Sequence, residues 1–351
     1  METITTVGID LAKNVFQVHA VDAQGQVVFR KTVRRAALLR LLSKVRPCLV
    51  GMEACASSHH WARALIELGH RVRLIPPAYV KAYVRRQKND AADAAAICEA
   101  VSRPSMRFVP VKSQEQQAVL MLHRARALLV GQRTALICAI RSHMAELGVV
   151  APAGPRNVAP LLERLADASD EGIPAVARLA LSPLADQMAR LHRQIERLDR
   201  AILEQCRRNE VSRRLAVIPG IGPLTASALA ASVTDPKMFK SGREFAAFLG
   251  LVPRQSSTGG KERLGRISKM GDRYLRTLLV VGATAVLRHA KAQGSAKAQG
   301  SPSRIWAEGL LSKKPFKLVA VALANKTARI AWAVMARGEK YRKPAPMAKA
   351  A

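Results

Sequence analysis

Residues 5–33, TTVGIDLAKNVFQVHAVDAQGQVVFRKTV, hold three β-rich runs separated by two turn signals. Thr5–Asp10, Val15–Val21 and Val27–Val33 are rich in Val, Ile, Thr and Phe, while Lys13-Asn14 and the Asp22 to Gly25 segment supply turn-forming residues. Three consecutive antiparallel strands are the natural reading. Downstream the period changes: Ala36–Lys44 is predicted to be helical, Cys48–Met52 a buried strand, His59–Leu68 a helix, Val72–Pro76 a strand and Asp90–Val101 an Ala-rich helix. The order β-β-β-α-β-α-β-α predicts an α/β layer structure over residues 1–110.

Beyond it the chain reads as helical. Gln114–Leu147 is interrupted only by Gly131, and Val176–Asn209 carries Leu184, Met188, Leu191, Ile195, Leu198 and Ile202 at heptad spacing. Val150–Pro160, rich in Pro and Gly, connects the two. Residues 111–210 are therefore expected to form an antiparallel coiled-coil pair, packed within the chain or serving as the stalk of a dimer or tetramer. Residues 211–339 are expected to form a mainly α domain, and 340–351 a flexible basic tail. The hexapeptide Ala-Lys-Ala-Gln-Gly-Ser at 290–295 recurs at 296–301, and its Gly-rich polar composition predicts an exposed loop.

The 351 residues include 57 Lys and Arg against 25 Asp and Glu, a formal net charge of +32. That balance points to a polyanion, with nucleic acid the default partner. The charge is uneven: +9 over residues 1–110, +3 over 111–210 and +20 over 211–351. No uninterrupted apolar run reaches the roughly 18 residues of a spanning helix, because Lys326 and Arg329 break Leu318–Ala336. The start lacks a secretory pattern, and the five scattered cysteines read as reduced thiols without zinc spacing. A cytoplasmic, nucleoid-associated bacterial protein without a membrane partner is expected. Trp61, Trp306 and Trp332 are too dispersed to stack bases and read as core residues.

Four carboxylates stand out in so basic a chain. Asp10 ends the first strand, Glu53 follows the fourth, and Asp90 and Asp93 lie three apart on one helical face. Each alone is an ordinary strand-end or helix-cap residue; together they repel unless a hard cation such as Mg2+ or Mn2+ neutralises them. Two such ions can stabilise the attacking and leaving oxygens of phosphoryl transfer. His59 and His60 follow Glu53 closely, though a pair at a helix start is usually structural.

Two more segments bear on chemistry. Ile218-Pro-Gly-Ile-Gly-Pro223 reads as a helix-hairpin-helix-like turn, in which the backbone around Gly220 and Gly222 faces a phosphate. Pro253–Arg273 gathers Arg254, Lys261, Arg263, Arg266, Lys269 and Arg273 around the hydroxyls of Ser256, Ser257 and Thr258. Such a loop either grips phosphate or carries a nucleophile whose developing charge the cations stabilise.

The stretches VGIDLAKNVFQVH (7–19), GMEACASSHHWA (51–62) and RRQKNDAADAAAICEA (85–100) resemble the RuvC-like DEDD domain of the IS110 and IS1111 insertion-sequence transposases. IPGIGPLTASALAA (218–231) and FAAFLGLVPRQSSTGGKERLGRISKMGDRYLRTLL (245–279) resemble the C-terminal transposase domain of the same family. The resemblance implies a ribonuclease-H-like (RuvC-like) first domain with Asp10, Glu53, Asp90 and Asp93 as a metal-binding catalytic tetrad. It also implies a serine-using recombinase that acts on double-stranded element and target DNA, guided by a structured non-coding RNA that the element encodes. The family serine directly precedes a glycine, whereas Thr258 holds that place here. Ser257 is the leading candidate among Ser256, Ser257 and Thr258, being a primary hydroxyl twelve residues before Lys269. Two other activities compete: a Holliday-junction endonuclease using the tetrad alone, and a non-catalytic nucleic-acid-binding protein.

Overall fold

The computed structural model describes residues 3–83, 90–292 and 302–342. The chain divides into two compact units, Met1–Gln117 and Ala118–Ala351.

In the first unit, β1 (Thr6–Asp10), β2 (Val15–Val21) and β3 (Val27–Arg34) form the expected antiparallel meander. After α1 (Leu38–Leu42), β4 (Leu49–Glu53) pairs parallel to β1; after α2 (Ser58–Glu67), β5 (Arg71–Ile75) pairs parallel to β4. The mixed sheet has the order β3-β2-β1-β4-β5, which is that of a ribonuclease-H-like domain. Alternation along the strands gives it two buried faces. Val7, Ile9, Val50 and Met52 pack against Leu38, Leu42, Trp61 and Leu65 on the side of α1 and α2. A short helix, α3 (Pro77–Val80), leads toward α4 (Asp90–Val101), which covers the opposite face with Ile97, Ala100 and Val101 over Ile75.

The second unit is built on two long helices, α5 (Gln114–Glu146) and α7 (Ala175–Arg208), with α6 (Ala159–Ala166) between them in sequence. They run antiparallel: Arg126 pairs with Asp199, and farther along Ile137 shares a small core with Met188. The apolar stripe of α7 is turned inward at Leu181, Met188, Leu191, Ile195 and Ile202, even though Pro183 removes one helical hydrogen bond. α6 was not foreseen; it begins inside the stretch read as a connector.

The larger core of this unit is formed by α8 (Glu210–Ala216), α9 (Pro223–Ser232), α10 (Gly242–Phe248), α11 (Arg273–Ala292), α12 (Pro302–Leu311) and α13 (Phe316–Arg337). α13 is long and apolar enough by composition to cross a membrane, but it is a core helix, with Val319, Ala320, Leu323, Ala324 and Ala328 buried. Two expectations need correction. Trp306 is not core: it is exposed and lies under the Lys326 ammonium, which a cation–π contact favours. The segment read as a Gly-bearing loop folds as a hairpin of β6 (Pro253–Gln255) and β7 (Leu264–Ile267). Most of the duplicated hexapeptide, 293–301, and the tail from 343 lie outside the described residues.

Candidate active site

Asp10 and Glu53 are brought together by strand register. Gly8 pairs with Gly51 and Ile9 with Met52 in a parallel ladder, so the next residues, Asp10 and Glu53, end neighbouring strands side by side. By alternation they project to the face that carries Gly8 and Gly51, the face under α4. The absence of side chains at those two glycines lets the helix close in. A Cβ on Gly8 would lie 2.3 Å from the Ala94 carbonyl oxygen and 2.5 Å from the Cys98 nitrogen, and one on Gly51 would lie 2.8 Å from Val101 Cβ. Asp90 opens this helix and Asp93 directly precedes Ala94, so α4 carries its acidic first turn beside the strand that ends in Asp10.

Cys55, one of the five cysteines read as reduced thiols, reports on the same place. Burial raises its thiol pKa from the ordinary value, and the carboxylate of Glu53, then that of Asp10, push it the same way against a backbone hydrogen bond that lowers it. Both acids therefore act on one point. Their oxygens suit a hard divalent cation rather than zinc. Among the described residues no three His, Cys, Asp or Glu side chains converge into a metal-holding group, and the Asp90 side chain lies outside that description. Asp93, which is among the described residues, therefore does not join Asp10 and Glu53 in such a group. His59 has a structural contact: its Nδ1 accepts from the Lys112 backbone N–H at 3.1 Å.

The hairpin that carries the hydroxyls is closed by Thr258-Gly259-Gly260-Lys261. The Lys261 N–H donates to the Thr258 carbonyl at 3.1 Å, and Gly259 and Gly260 both have positive φ, at 57° and 74°. Two left-handed central residues define a type I′ turn, which matches strand twist and favours Gly-Gly. Ser256, Ser257 and Thr258 are all exposed. Ser257 Oγ accepts from Gln255 Nε2 at 3.1 Å and from the Arg263 N–H at 3.4 Å, which directs it across the hairpin. Lys261, Arg263, Arg266, Lys269 and Arg273 are exposed and make no ion pair among the described residues, and Arg254 braces the stem by donating to the Ser268 carbonyl at 3.3 Å. Below the hairpin, Arg276 Nη1 donates to the carbonyls of Leu249 and Met270, both at 2.9 Å.

Ile218–Pro223 links α8 to α9 as expected. Pro219 and Gly220, with φ of 86° at Gly220, have the signature of a type II turn closed by the Ile221 N–H on the Ile218 carbonyl at 2.9 Å. Gly222 caps α9 without a side-chain acceptor for its first N–H groups. The turn packs on α11 so closely that a Cβ on Gly282 would lie 1.9 Å from the Gly220 oxygen. It lines an open cavity of about 550 Å³ together with Ala285, Val286 and His289. A buried polar relay, which no sequence motif signals, lies alongside: His123 of α5 places Nε2 3.1 Å from Ser227 Oγ and Nδ1 3.0 Å from Tyr274 Oη, tying α5 to α9 and to the first turn of α11. Burial, with the Arg126 charge, lowers the His123 pKa to about 4, so the ring is neutral near pH 7.

Comparison with known proteins bears on both halves of the chain. Residues 7–148 match a transposase family model of the IS110 DEDD type, and residues 212–299 match that of the transposase IS116/IS110/IS902 family. A probable family 20 transposase of Pseudomonas aeruginosa is 50% identical over 340 residues, covering 97% of this chain and 99% of the relative. The transposase for insertion sequence element IS1328 of Yersinia enterocolitica is 41% identical, covering 98% and 100% of the two chains. That for element IS1111A of Coxiella burnetii is 39% identical, covering 97% and 92%. A carboxylate-bearing ribonuclease-H-like unit, a basic helical unit and similarity along nearly the whole length together establish that this chain belongs to the IS110/IS116 family of insertion-sequence transposases.

Proposed function

We propose that this transposase cuts and rejoins double-stranded DNA through a covalent ester on Ser257, using Mg2+ or Mn2+ held by Asp10, Glu53, Asp90 and Asp93, at sites chosen by a structured RNA that its element encodes. The observation that carries the metal reading is the register that ends two neighbouring strands in Asp10 and Glu53 on the sheet face that α4 covers. A bound divalent ion would neutralise these carboxylates and withdraw charge from a phosphate oxygen. The nucleophile reading rests on an exposed hydroxyl held across the hairpin among uncommitted cations.

The exchange conserves bonds. Ser257 Oγ forms a bond to phosphorus, the bond from phosphorus to a deoxyribose oxygen breaks, and the departing hydroxyl takes the proton that the serine gives up. A deoxyribose hydroxyl of another strand then displaces Ser257, restoring a phosphodiester without an energy-rich cofactor. Lys261, Arg263 and Arg266 favour the charge that develops on the phosphate. The N–H groups around Gly220 and Gly222 grip the DNA backbone in the manner of a helix-hairpin-helix turn, fixing register without reading bases. The reaction takes place wherever the cell keeps its DNA, and assembly as a dimer or tetramer supplies one serine per strand.

The test is to trap the protein–DNA adduct and locate it by mass spectrometry in the wild type and in Ser256→Ala, Ser257→Ala, Thr258→Ala and Asp10→Asn. The expected adduct is on Ser257, absent from Ser257→Ala and from Asp10→Asn, with DNA binding retained in both. An adduct on Ser256 or Thr258 transfers the role to that neighbour. Hydrolysed DNA with no adduct in any protein leaves a Holliday-junction-type endonuclease, and activity in EDTA removes the metal.

A further inference from the structure

The far end of the α5–α7 pair has a core of its own, separate from that of α8–α13. Ile137, Ile140 and Met144 of α5, Leu161 and Leu165 of α6, and Leu181 and Met188 of α7 form it. A recess of about 470 Å³ opens at its edge. Ile137, Leu162 and Met188 make the floor, while Arg133, Arg156 and His192 stand around it. Among the described residues no carboxylate lines this recess.

The arginines sort into two groups by what they hold. Arg141 donates to the carbonyls of Ala151 and Pro152, Arg164 pairs with Asp170, and Arg178 donates to the carbonyls of Leu165 and Asp170. Those three fasten the loops of this small core. Arg133 and Arg156 make no ion pair and no side-chain hydrogen bond among the described residues, and only His192 has an acidic neighbour, Glu196 at 3.3 Å. Residues 111–210 carry only +3 overall, so two uncommitted guanidinium groups beside an apolar hollow are a local arrangement and not part of a generally cationic surface. Its ligand should be flat and apolar in one part and anionic in the other. Arginine forks match phosphate, and a Met floor adapts to an aromatic face. The size falls within the range of about 300–1,000 Å³ that holds small aromatic groups.

We infer that this recess receives one unpaired base of the guide RNA, with the phosphate of that nucleotide on Arg133 and Arg156; the inference rests on the guide-RNA reading above. A duplex keeps its bases stacked and offers nothing to the floor, whereas RNA loops and bulges splay bases outward. The α5–α7 end is then an anchor for a looped segment of the guide.

The experiment uses the full-length protein with oligouridine RNA bearing one 4-thiouridine, a matching 4-thiothymidine DNA and an RNA duplex. Photocrosslinks are mapped by mass spectrometry in the wild type, in Arg133→Ala/Arg156→Ala, and in Ala189→Trp, which fills the hollow from an exposed helix position. Crosslinks from the single-stranded RNA are expected at Met188 or His192, falling about ten-fold in both variants, as loss of one base contact predicts. Added salt should weaken crosslinking further in Ala189→Trp but little in the double arginine variant. Unchanged melting curves show that both variants fold; if Ala189→Trp does not, Ala189→Leu replaces it. RNA that binds but crosslinks only elsewhere, or equally in all three proteins, overturns the pocket while the guide-RNA reading stands. Equal crosslinking by the DNA overturns the choice of RNA. A wild-type protein that binds no RNA overturns both readings.

Discussion

Adding one methyl group at Gly8 tests whether α4 holds the carboxylates in place. The Cβ of Gly8→Ala would sit 2.3 Å from the Ala94 oxygen, 2.5 Å from the Cys98 nitrogen and 2.8 Å from Cys98 Cβ. Two of these contacts are backbone of a regular helix, so no side-chain rotation relieves them. Carbon atoms rest about 3.5–4.0 Å from non-bonded neighbours, so α4 must withdraw by roughly 1 Å. Overpacking of that kind costs about 1–3 kcal/mol. For a unit of this size, each kcal/mol lowers Tm by about 4–8 °C, giving an expected fall of about 4–24 °C. On the proposed mechanism the effect on chemistry should be larger, because α4 carries two of the four proposed metal donors, Asp90 and Asp93, and a displacement of about 1 Å can cost on the order of 100-fold in rate. Circular dichroism melting and strand cleavage on supercoiled DNA carrying the element measure the two effects separately. A Gly8→Ala protein with wild-type melting and wild-type cleavage would refute the close approach of α4 to β1, and with it the account of how the acids are positioned.

Gly131 is the counterpart, a mid-helix glycine in α5 with nothing within 4 Å of its would-be Cβ; Gly131→Ala should stabilise by about 0.5–1 kcal/mol in a denaturant titration, through backbone entropy alone. His123 predicts a pH dependence: its folded pKa of about 4 lies below the ordinary 6.5, so between those values the unfolded chain binds more protons. Stability is therefore complete above about pH 6.5, is lost as pH falls toward 4, and changes by about 3 kcal/mol at most; in His123→Gln, Tm measured across that window should lose this slope. Binding to DNA should weaken steeply with salt, and replacing Lys261, Arg263 and Arg266 by Ala should reduce the slope of log K against log salt by about 3 if each meets one phosphate. An unchanged slope would place those side chains off the DNA.

The five strands of the first unit were legible because each is a β-branched or apolar run bounded by turn residues, and Val7, Ile9, Val50 and Met52 alternate with Gly8 and Gly51 along two of them. The side-by-side placement of Asp10 and Glu53 was legible from their positions at strand ends, since a parallel ladder fixes which residues are neighbours. The hairpin at 253–267 was not, because nearly every residue in it is exposed and no apolar alternation marks it; only Gly259-Gly260 signalled the turn. Nor could α6 be separated from a Pro-rich connector, since Leu161, Leu162 and Leu165 acquire meaning only once α5 and α7 enclose them. His123, Ser227 and Tyr274 are far apart in sequence, and no local pattern announces a hydrogen bond spanning 151 positions.

The backbone contacts at Gly8, Gly271 and Gly282 have a genetic consequence. A side chain at the last two would begin 1.9 Å from a carbonyl oxygen, of Phe248 and of Gly220 respectively. Glycine alone lacks a Cβ, so every missense change at these codons introduces the clash, whichever amino acid results. Mobile elements leave many copies in a genome, and copies released from selection drift. A drifting copy can keep its full reading frame, its basic surface and all four acidic codons, and still be silenced by one substitution at any of these glycines. An open frame is then a poor sign that a copy still moves, and the three glycine codons are a better one.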